Sequence, residues 1–410
     1  MSSVPLALPI ADVRAFFPAF SEPSLDGWGF FENAGGSYTA RHVLDRLYSF
    51  YTGTKVQPYS AYPASIDGGA AMDMAYTRLA LALNVEPDAI HFGPSTSANS
   101  YVLANAFDQL FQPGDTIIVT DQDHEANSGA WRKLADMGIT IREWQVDPVS
   151  GNLDPSRLDT LLDESVRLVA FPHCSNIVGE INPVAEICAT LKAANIVSVV
   201  DGVSYAPHGL PDVKALGADI YLFSAYKTYG PHQGIMVVRP DLARQLPNQG
   251  HFFNADLIRK RLTPAGPDHA QIAACTGIAD YLEALAALSP DANQPNPFRR
   301  AETLIHQQEQ ALLAPLMDYL GARRNLRVIG PLDGTKRAPT ISIALDEPGL
   351  EAAKRLAKHK IMASGGHFYA WRLLKALGLN PEAGVLRLSF VHYTCPEEIE
   401  RLIKALDAEI

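Results

Sequence analysis

Residues 218–239 constrain the fold of this chain more than any other segment. They include two short apolar runs, 220–223 and 235–238, which have the length and β-branched content of buried strands. The polar connection between these runs carries a single lysine, Lys227. An unpaired ammonium is costly to bury, but a desolvated lysine has a lowered pKa and becomes a nucleophile for carbonyl groups. A solvated loop lysine is the commoner interpretation of one such position, so the decision depends on the sequence upstream.

That upstream sequence contains a second strand end with a charged residue. The apolar run 196–200 leads directly into Asp201, which is typical of a parallel core strand whose carboxyl end opens into a ligand crevice. An aspartate there also serves as an ordinary cap of the next element. Together, Asp201 and Lys227 fit pyridoxal phosphate, in which a lysine holds the aldehyde as a Schiff base and an aspartate pairs with the ring nitrogen.

Composition limits the class of protein. A chain of 410 residues buries a large core and is long enough for two domains, or three. Its net charge of −11 argues against nucleic acid or an anionic membrane surface as a partner. The four cysteines form no C-x-x-C pair, which favours a reducing compartment. With no signal-peptide pattern at the N-terminus and no apolar run of about 20 residues, we expect a cytoplasmic protein.

The order of patterns predicts the fold class. From residue 116 onward, strand and helix patterns alternate, which predicts an α/β fold with a mainly parallel sheet covered by helices on both faces. A Pro- and Asn-rich stretch at 288–297 suggests a boundary between domains. We therefore predict an N-terminal arm (1–30), a large domain (31–290) and a small C-terminal α/β domain (291–410), the last with a helix near 369–377.

Two catalytic motifs are begun but not completed, and a third motif, for dinucleotide binding, is absent. Residues 224–227 match S-x-x-K, yet the S-D-N and K-T-G partners of that motif are absent. His124 and Glu125 begin an H-E-x-x-H zinc motif whose second histidine is replaced by Ser128. No G-x-G-x-x-G occurs, so nicotinamide or flavin binding has no support, and no metal site is expected.

Further polar residues follow other predicted strands. Ser95, Thr96 and Ser97 open a helix, where free N–H groups and the helix dipole favour a phosphate, although an ordinary N-cap explains them equally well. His124 follows the strand 116–120 and has the chemistry to stack on an aromatic cofactor; an incidental loop histidine is the commoner case. Asn176 follows the strand 166–171. Because the carboxyl ends of parallel strands meet at one crevice, we expect these residues to converge with Asp201 and Lys227.

Four ordered motifs resemble a known family. They are Asp-His-Glu-Ala-Asn (123–127), His-Cys-Ser-Asn-Ile-Val-Gly-Glu-Ile-Asn-Pro-Val (173–184), Val-Asp-Gly-Val-Ser-Tyr-Ala-Pro-His-Gly (200–209) and Ser-Ala-Tyr-Lys-Thr-Tyr-Gly-Pro-His (224–232). They look like class V aminotransferases, and most like their cysteine desulfurase-like branch. The resemblance extends from residue 31 to residue 393 and implies a pyridoxal phosphate fold type I homodimer with active sites at the subunit interface.

The resemblance also implies roles for individual residues. Lys227 would carry the Schiff base, Asp201 would pair with the ring nitrogen, His124 would stack on the ring and Asn176 would reach the phenolic oxygen. The phosphate would be held by a group of hydroxyl-bearing residues: Thr96 and Ser224, with Ser97 and Tyr226.

The substrate would be met by two further residues. Arg387 would bind the substrate carboxylate in a two-pronged pair, the geometry that suits a guanidinium; a surface arginine on a strand is the alternative. The glycine turn that follows residues 30–33 lets the backbone approach a ligand closely, which makes Gly35 a candidate substrate contact, although a plain turn is the commoner explanation.

The chain also departs from the family pattern. The loop that carries the nucleophilic cysteine of desulfurases reads Ser-Gly-Gly-His-Phe-Tyr-Ala-Trp (364–371) here, without a cysteine. The Gly-Thr that reaches the partner's phosphate is replaced by Pro-Ala-Gly-Pro-Asp-His (264–269), in which His269 is a candidate substitute. Ser204 replaces a larger polar residue. These changes leave the cofactor assignment in place but remove persulfide chemistry.

These observations predict a pyridoxal phosphate enzyme that acts at the Cα of an amino acid or a related amine, with transamination as the first choice. β-Elimination of the C–S lyase type is the second. A catalytically idle protein of the same fold, acting as a binding subunit, is the alternative from another class, and the joint presence of Lys227, Asp201, His124 and Arg387 argues against it.

Overall fold

The computed structural model describes residues 6–291 and 293–410. Residues 1–5, which begin the predicted arm, and Ala292, in the predicted small domain, lie outside the described residues. The strands of the described part are β1 (Gly29–Phe30), β2 (Ile90–Gly93), β3 (Thr116–Thr120), β4 (Thr140–Trp144), β5 (Val166–Pro172), β6 (Val197–Asp201), β7 (Ile220–Ser224), β8 (Gly234–Val238), β9 (Arg327–Ile329), β10 (Thr340–Ala344), β11 (Ile361–Met362), β12 (Ser364–Gly366) and β13 (Val385–Ser389).

The α-helices follow the same numbering. They are α1 (Ile10–Ala15), α2 (Arg41–Gly53), α3 (Pro63–Leu83), α4 (Thr96–Asp108), α5 (Glu125–Arg132), α6 (Pro155–Asp159), α7 (Val184–Ala193), α8 (Val213–Leu216), α9 (Pro240–Gln245), α10 (Ile258–Arg261), α11 (His269–Ala274), α12 (Thr276–Ala287), α13 (Pro297–Ala322), α14 (Gly349–Ala357), α15 (Trp371–Ala376) and α16 (Pro396–Glu409). Within the described residues, no helix combines the length and the apolar character that crossing a bilayer requires.

A seven-stranded sheet forms the larger layer, in the order β2-β8-β7-β6-β5-β3-β4. The strands from β7 to β4 run parallel to one another, whereas β8 is antiparallel to both of its neighbours. Strands β3, β7 and β8 are buried along their whole length, since helices cover both faces, and this explains their continuous apolar character. The predicted α/β class with a mainly parallel sheet is confirmed.

A second, antiparallel sheet of four strands lies nearer the C-terminus, in the order β12-β13-β10-β9. The short β1 of the N-terminal segment pairs in parallel with β11, so the start of the chain contributes to this C-terminal half. The two larger sheets lie on opposite sides of the predicted boundary near residue 290, and the division into domains stays a prediction.

The sheet register brings the predicted strand ends to one edge. Pro172 at the end of β5 lies opposite Asp201 at the end of β6, and Asp201 in turn lies opposite Leu222, two residues before the end of β7. Parallel strands place their carboxyl ends on the same side, so the side chains that follow them share one crevice.

One predicted helix begins later than expected. The helix predicted near 369–377 is α15, which starts at Trp371. Phe368 and Tyr369 adopt left-handed backbone angles, with φ of 47° and 59°, and a right-handed helix cannot start there. A pattern of apolar residues carries no signal for such a conformation.

A buried arginine connects the two halves behind the crevice. Arg337 donates to the carbonyl oxygens of Val178 (3.1 Å), Pro331 (2.7 Å) and Thr340 (2.6 Å), which tie the segment after β5 to the antiparallel sheet. Burial lowers the pKa of its guanidinium to about 10. The carbonyl groups in return lose access to water and depend on this one side chain.

We expect Arg337→Met to lower the free energy of unfolding by about 3 kcal/mol, because several buried carbonyl groups lose their donor. The measurement is urea denaturation followed by circular dichroism. Arg323→Met is the matched control, because Arg323 pairs with the largely exposed Asp407 and its loss costs about 0.5 kcal/mol or less. Equal effects of the two substitutions would contradict the assignment.

Candidate functional site

A cavity of about 430 Å³ opens at the carboxyl edge of the parallel strands, within the usual range of about 300–1,000 Å³ for small-molecule sites. It is lined by all eight residues that the sequence assigned to a cofactor: Thr96, Ser97, His124, Asn176, Asp201, Ser224, Tyr226 and Lys227. Arg387 and Gly35, the two expected substrate contacts, are not in its lining.

Lys227 ends a single 3₁₀ turn, Ala225–Lys227, that directly follows β7. Its side chain is almost fully buried, and its pKa is lowered to about 8 because burial penalises the ammonium and Arg387 repels it. The carboxylates of Asp201 and Glu32 act in the opposite direction. Lys227 is therefore far easier to deprotonate than an ordinary lysine, which is what a nucleophile for carbonyl groups requires.

Asp201 lies at the end of the neighbouring strand, β6. Its Oδ1 accepts a hydrogen bond from the N–H of Val203 at 2.9 Å. Burial raises the pKa of this carboxyl to about 6, while the Val203 bond and the charge of Lys227 lower it. A buried carboxylate of this kind is stabilised by any cationic group that enters the cavity.

His124 caps the N-terminus of α5. Its Nδ1 accepts the N–H of Ala126 at 3.0 Å, so the neutral ring carries its proton on Nε2. Burial and the charges of Lys227 and Arg387 lower the pKa of His124 to about 3. The ring of Tyr369 lies 5.0 Å from that of His124 at an angle of 35°. His124 is thus a neutral, flat wall of the cavity.

A buried aspartate holds the start of α5 in place. Asp123 accepts from the hydroxyl of Thr120 at 2.6 Å and from Nδ2 of Asn127 at 2.8 Å, which ties the end of β3 to the first turn of the helix. Burial raises the pKa of Asp123 to about 7. These contacts fix the position of the adjacent His124.

A hydroxyl cluster meets the N-terminus of α4 at the other end of the cavity. Thr96 Oγ1 and Ser224 Oγ lie 2.7 Å apart, and Ser95 caps the helix by accepting the N–H of Ala98 at 3.1 Å. The lack of a side chain at Gly234 lets β8 lie close to the start of α4, since a Cβ at Gly234 would lie 2.3 Å from the carbonyl carbon of Ser95. Free backbone N–H groups and hydroxyls at a helix N-terminus suit an anion.

Two further residues complete that end of the cavity. Ser97 is exposed in the first turn of α4. The ring of Tyr226 stacks on that of His232, with centroids 4.8 Å apart and planes 9° apart. His232 had no assigned role in the sequence, and its position after a Gly-Pro pair gives no signal of this contact.

Asn176 is already engaged by the loop that precedes α15. Its Nδ2 donates to the carbonyl oxygen of Phe368 at 2.9 Å. Its Oδ1 is buried and has no hydrogen-bond partner within residues 6–291 and 293–410. An unpaired buried oxygen that lines a cavity indicates a missing donor.

Arg387 lies on β13 behind this loop and is only 3% exposed. Its Nη2 donates to Oε1 of Glu32 at 2.8 Å, and the Phe368 ring covers its guanidinium, with the ring centroid 3.7 Å from Cζ. Burial lowers the pKa of Arg387 and Glu32 raises it. Gly35 closes the turn that starts at Glu32, its N–H donating to the Glu32 carbonyl oxygen at 2.9 Å. The two expected substrate residues therefore lie close together, but Arg387 is already paired with Glu32 and covered by the ring of Phe368.

The cysteine nearest the cavity is Cys174, in its lining. Burial raises the pKa of its thiol to about 12. A persulfide-forming nucleophile needs the thiolate, so Cys174 has the wrong electrostatic environment.

The chain is similar to known proteins over almost its whole length. A profile of the family described as Aminotransferase class-V matches residues 29–402. The aminotransferase-like protein FGM3 of Gibberella zeae is 35% identical over 97% of this chain and 98% of that protein. A cysteine desulfurase of Serratia proteamaculans is 29% identical over 98% of each chain. The structure of a cysteine desulfurase from Thermococcus onnurineus NA1, 23% identical, superimposes with a TM-score of 0.84 over 100% of this chain and 99% of that one.

We expect the amine of Lys227 to react with a small acylating reagent with half-maximal rate near pH 8, instead of near the usual 10.5. Peptide mass spectrometry after labelling across a pH series measures this. Arg387→Gln removes a repelling positive charge and shifts the midpoint upward. A wild-type midpoint near 10.5, or no shift in the variant, would contradict the electrostatic assignment.

Proposed function

The chain belongs to the class V aminotransferase family of pyridoxal phosphate-dependent enzymes, and we propose that its cavity holds this cofactor and carries out transamination of an amino acid or related amine. One observation carries the proposal: a buried lysine with a lowered pKa faces the same cavity as a buried aspartate from the neighbouring parallel strand. The aminotransferase-like relative of similar length supports the reaction type.

The residues present fit the recognisable parts of the cofactor. Lys227 would hold the aldehyde, and Asp201 would pair with the protonated ring nitrogen, which in turn stabilises that buried carboxylate. Nδ2 of Asn176 would donate to the ring oxygen once it is released from the carbonyl oxygen of Phe368. His124 would lie against the ring.

The phosphate would lie at the N-terminus of α4. The hydroxyl pair of Thr96 and Ser224 supports this, as does the close approach of the helix start to Gly234. Ser97 and Tyr226 would supply further contacts from the same end of the cavity.

When bound, pyridoxal phosphate withdraws the electrons left behind when a proton leaves the substrate Cα. Nζ of Lys227 would act as the base for that proton after the substrate amine has taken its place. With a pKa of about 8, roughly one Lys227 in ten is neutral at pH 7, against about one in several thousand for an ordinary lysine. Asp201 would remain ionised and keep the ring nitrogen protonated. His124, with Nδ1 occupied, would donate through Nε2 only.

We expect Lys227→Ala to leave the fold intact and to lower turnover by about 10³-fold or more, because both the attachment point and the base are lost. Borohydride reduction would then no longer fix the cofactor to the protein. Asp201→Asn should retain cofactor and lose activity about 10²-fold. Release of keto acid from an amino-acid panel is the measurement, and Lys214→Ala on α8 is the control. Near wild-type turnover in Lys227→Ala would contradict the proposal.

β-Elimination is the competing reaction, and the relatives named as cysteine desulfurases make it worth separating. We expect no persulfide-type desulfuration, because the loop 364–371 contains no cysteine and burial suppresses ionisation of Cys174. Incubation with cysteine and reductant should give no stoichiometric alanine. Any sulfide released should come with pyruvate. If alanine and sulfide form in equal amounts, and if both products are lost in Cys174→Ser, the chain is a desulfurase and this expectation is wrong.

We further propose a homodimer. His232 lines both the main cavity and a neighbouring one of about 470 Å³ at the segment 263–268. Part of that segment borders a third cavity, which is also lined by the exposed residues Tyr59 and Leu257. Phe252 follows His251 of that lining in the sequence and is 87% exposed. This continuous surface suits a second copy that completes the phosphate end of the site. The contribution of His269 stays a prediction.

Light scattering should give a mass about twice 44.5 kDa. An active, strictly monomeric protein would refute the dimer.

The four cysteines are free thiols, which supports our proposal of a reducing compartment such as the cytoplasm.

A further inference from the structure

Arg387 is closed off by groups from three parts of the chain. Glu32 pairs with its Nη2 at 2.8 Å, Phe368 covers its guanidinium and the carbonyl oxygen of Asn176 lies 3.4 Å from its Nη1. A carboxylate that approaches from the cavity therefore meets a guanidinium whose charge is already balanced.

The pair between Glu32 and Arg387 is incomplete. A carboxylate and a guanidinium bond most strongly through two parallel hydrogen bonds, but here only Oε1 is joined to Nη2. Oε2 of Glu32 and Nε of Arg387 are both buried, and neither has a hydrogen-bond partner in the described part of the chain. An unpaired buried donor on Arg387 favours a ligand that offers a better-aligned carboxylate.

Glu32 is the more exposed member of the pair. Its side chain is 26% exposed, against 3% for Arg387. It sits at the start of a turn, and the lack of a side chain at Gly35 makes room for the carboxylate in its paired position, since a Cβ there would lie 2.8 Å from Oε1. Glu32 is therefore the member of the pair that an incoming carboxylate would displace, while Arg387 stays on β13.

The cover over the arginine is strained. Phe368 and Tyr369 hold left-handed φ angles of 47° and 59°, which large L-residues adopt only when contacts compel them. The contacts are the bonds from Asn176 Nδ2 to the Phe368 carbonyl and from the Glu125 N–H to the Tyr369 carbonyl, at 2.9 and 2.8 Å. Opening of the loop would break these two bonds and the packing of Phe368 against the core.

We propose that Glu32 is a specificity-determining residue and that the Arg387 pocket is a two-state receptor. Glu32 occupies Arg387 in one state, and the carboxylate of a ligand does so in the other. When the substrate has no carboxylate beside its amine, Glu32 stays on Arg387 and the pocket presents no unbalanced cation. When the substrate is an α-amino acid or an α-keto acid, its carboxylate replaces Glu32. The pocket therefore accepts primary amines without an α-carboxylate as well as α-amino acids. This inference rests on the proposed transaminase function, whose two half-reactions share one pocket.

Glu32→Gln tests the inference because it keeps the shape of the side chain and removes its charge. Holoenzyme is supplied with matched pairs, each an α-amino acid and the amine that differs only in lacking the carboxylate: alanine and ethylamine, 2-aminobutyrate and propylamine, phenylalanine and phenethylamine. The absorbance change of the cofactor in a single half-reaction gives kcat/KM for each. Wild type should convert at least one amine, and Glu32→Gln should raise the ratio of amino acid to amine by about tenfold.

A binding measurement separates this inference from the proposed function. Calorimetry with propanoate, which carries a carboxylate but no amine, should show about tenfold tighter binding to Glu32→Gln than to wild type, whether or not transamination occurs. If no half-reaction is seen with any pair, the transaminase proposal fails, and tighter propanoate binding still supports the competition between Glu32 and a carboxylate. Unchanged propanoate affinity overturns it.

Two further variants serve as controls for the effects of Glu32→Gln on the substrate ratio and on propanoate binding. Gly35→Ala pushes the Glu32 carboxylate aside without removing it, and should change the ratio in the same direction by a smaller factor. It also replaces Glu32→Gln if that variant does not fold. Glu347→Gln, which removes a carboxylate paired with Arg355 at 2.8 Å elsewhere in the C-terminal half, should change neither quantity. A wild-type enzyme that accepts amino acids but no amine, or ratios unchanged in both Glu32→Gln and Gly35→Ala, would overturn the two-state receptor.

Discussion

The burial of one ammonium group at the carboxyl edge of a parallel sheet governs the rest of this structure. Lys227 is nearly excluded from water, and this burial is the largest cause of the lowered pKa of its ammonium group. The surrounding charges modify the effect of burial. Arg387 repels the ammonium while Asp201 and Glu32 attract it, and the outcome is a pKa of about 8. A change in any of the three would alter the reactivity of the lysine.

The same four groups form a balanced set of two cations and two carboxylates. Each member comes from a different part of the chain: the turn before α2, β6, the turn after β7, and β13. The large sheet fixes Asp201 and Lys227 relative to each other, and the antiparallel sheet fixes Arg387. Glu32 lies between them, and its side chain is more exposed than that of Arg387. Glu32 is the member of this set that the proposed exchange with a substrate carboxylate would displace.

The convergence of several residues at one cavity could be predicted because it depends on topology. Thr96, His124, Asn176, Asp201 and Lys227 each follow or begin a strongly patterned element, and parallel strands bring such positions to one edge. The contacts of Arg387 could not be predicted in this way. Its strand was recognisable, but Glu32 is 355 residues away in sequence, and nothing in a Phe-Phe-Glu run followed by a turn identifies its partner. The cover formed by Phe368 and Tyr369 was missed for a related reason: aromatic residues usually continue a helix, and left-handed angles arise from contacts that only the folded chain makes.

The sequence by itself determined the α/β class, the parallel sheet and the group of residues that line the cavity, because hydrophobic periodicity and strand order act over short segments. Only the tertiary structure decided the charge state of the site and the accessibility of its arginine. Both depend on burial and on charges brought together from distant segments, since the energy of a charge is set by its surroundings in space and not by its neighbours along the chain. In the sequence Lys227 is one lysine in a polar connection and Arg387 is one arginine on a strand. Only the fold removes water from Lys227, and only the fold pairs Arg387 with Glu32 and covers it with the ring of Phe368.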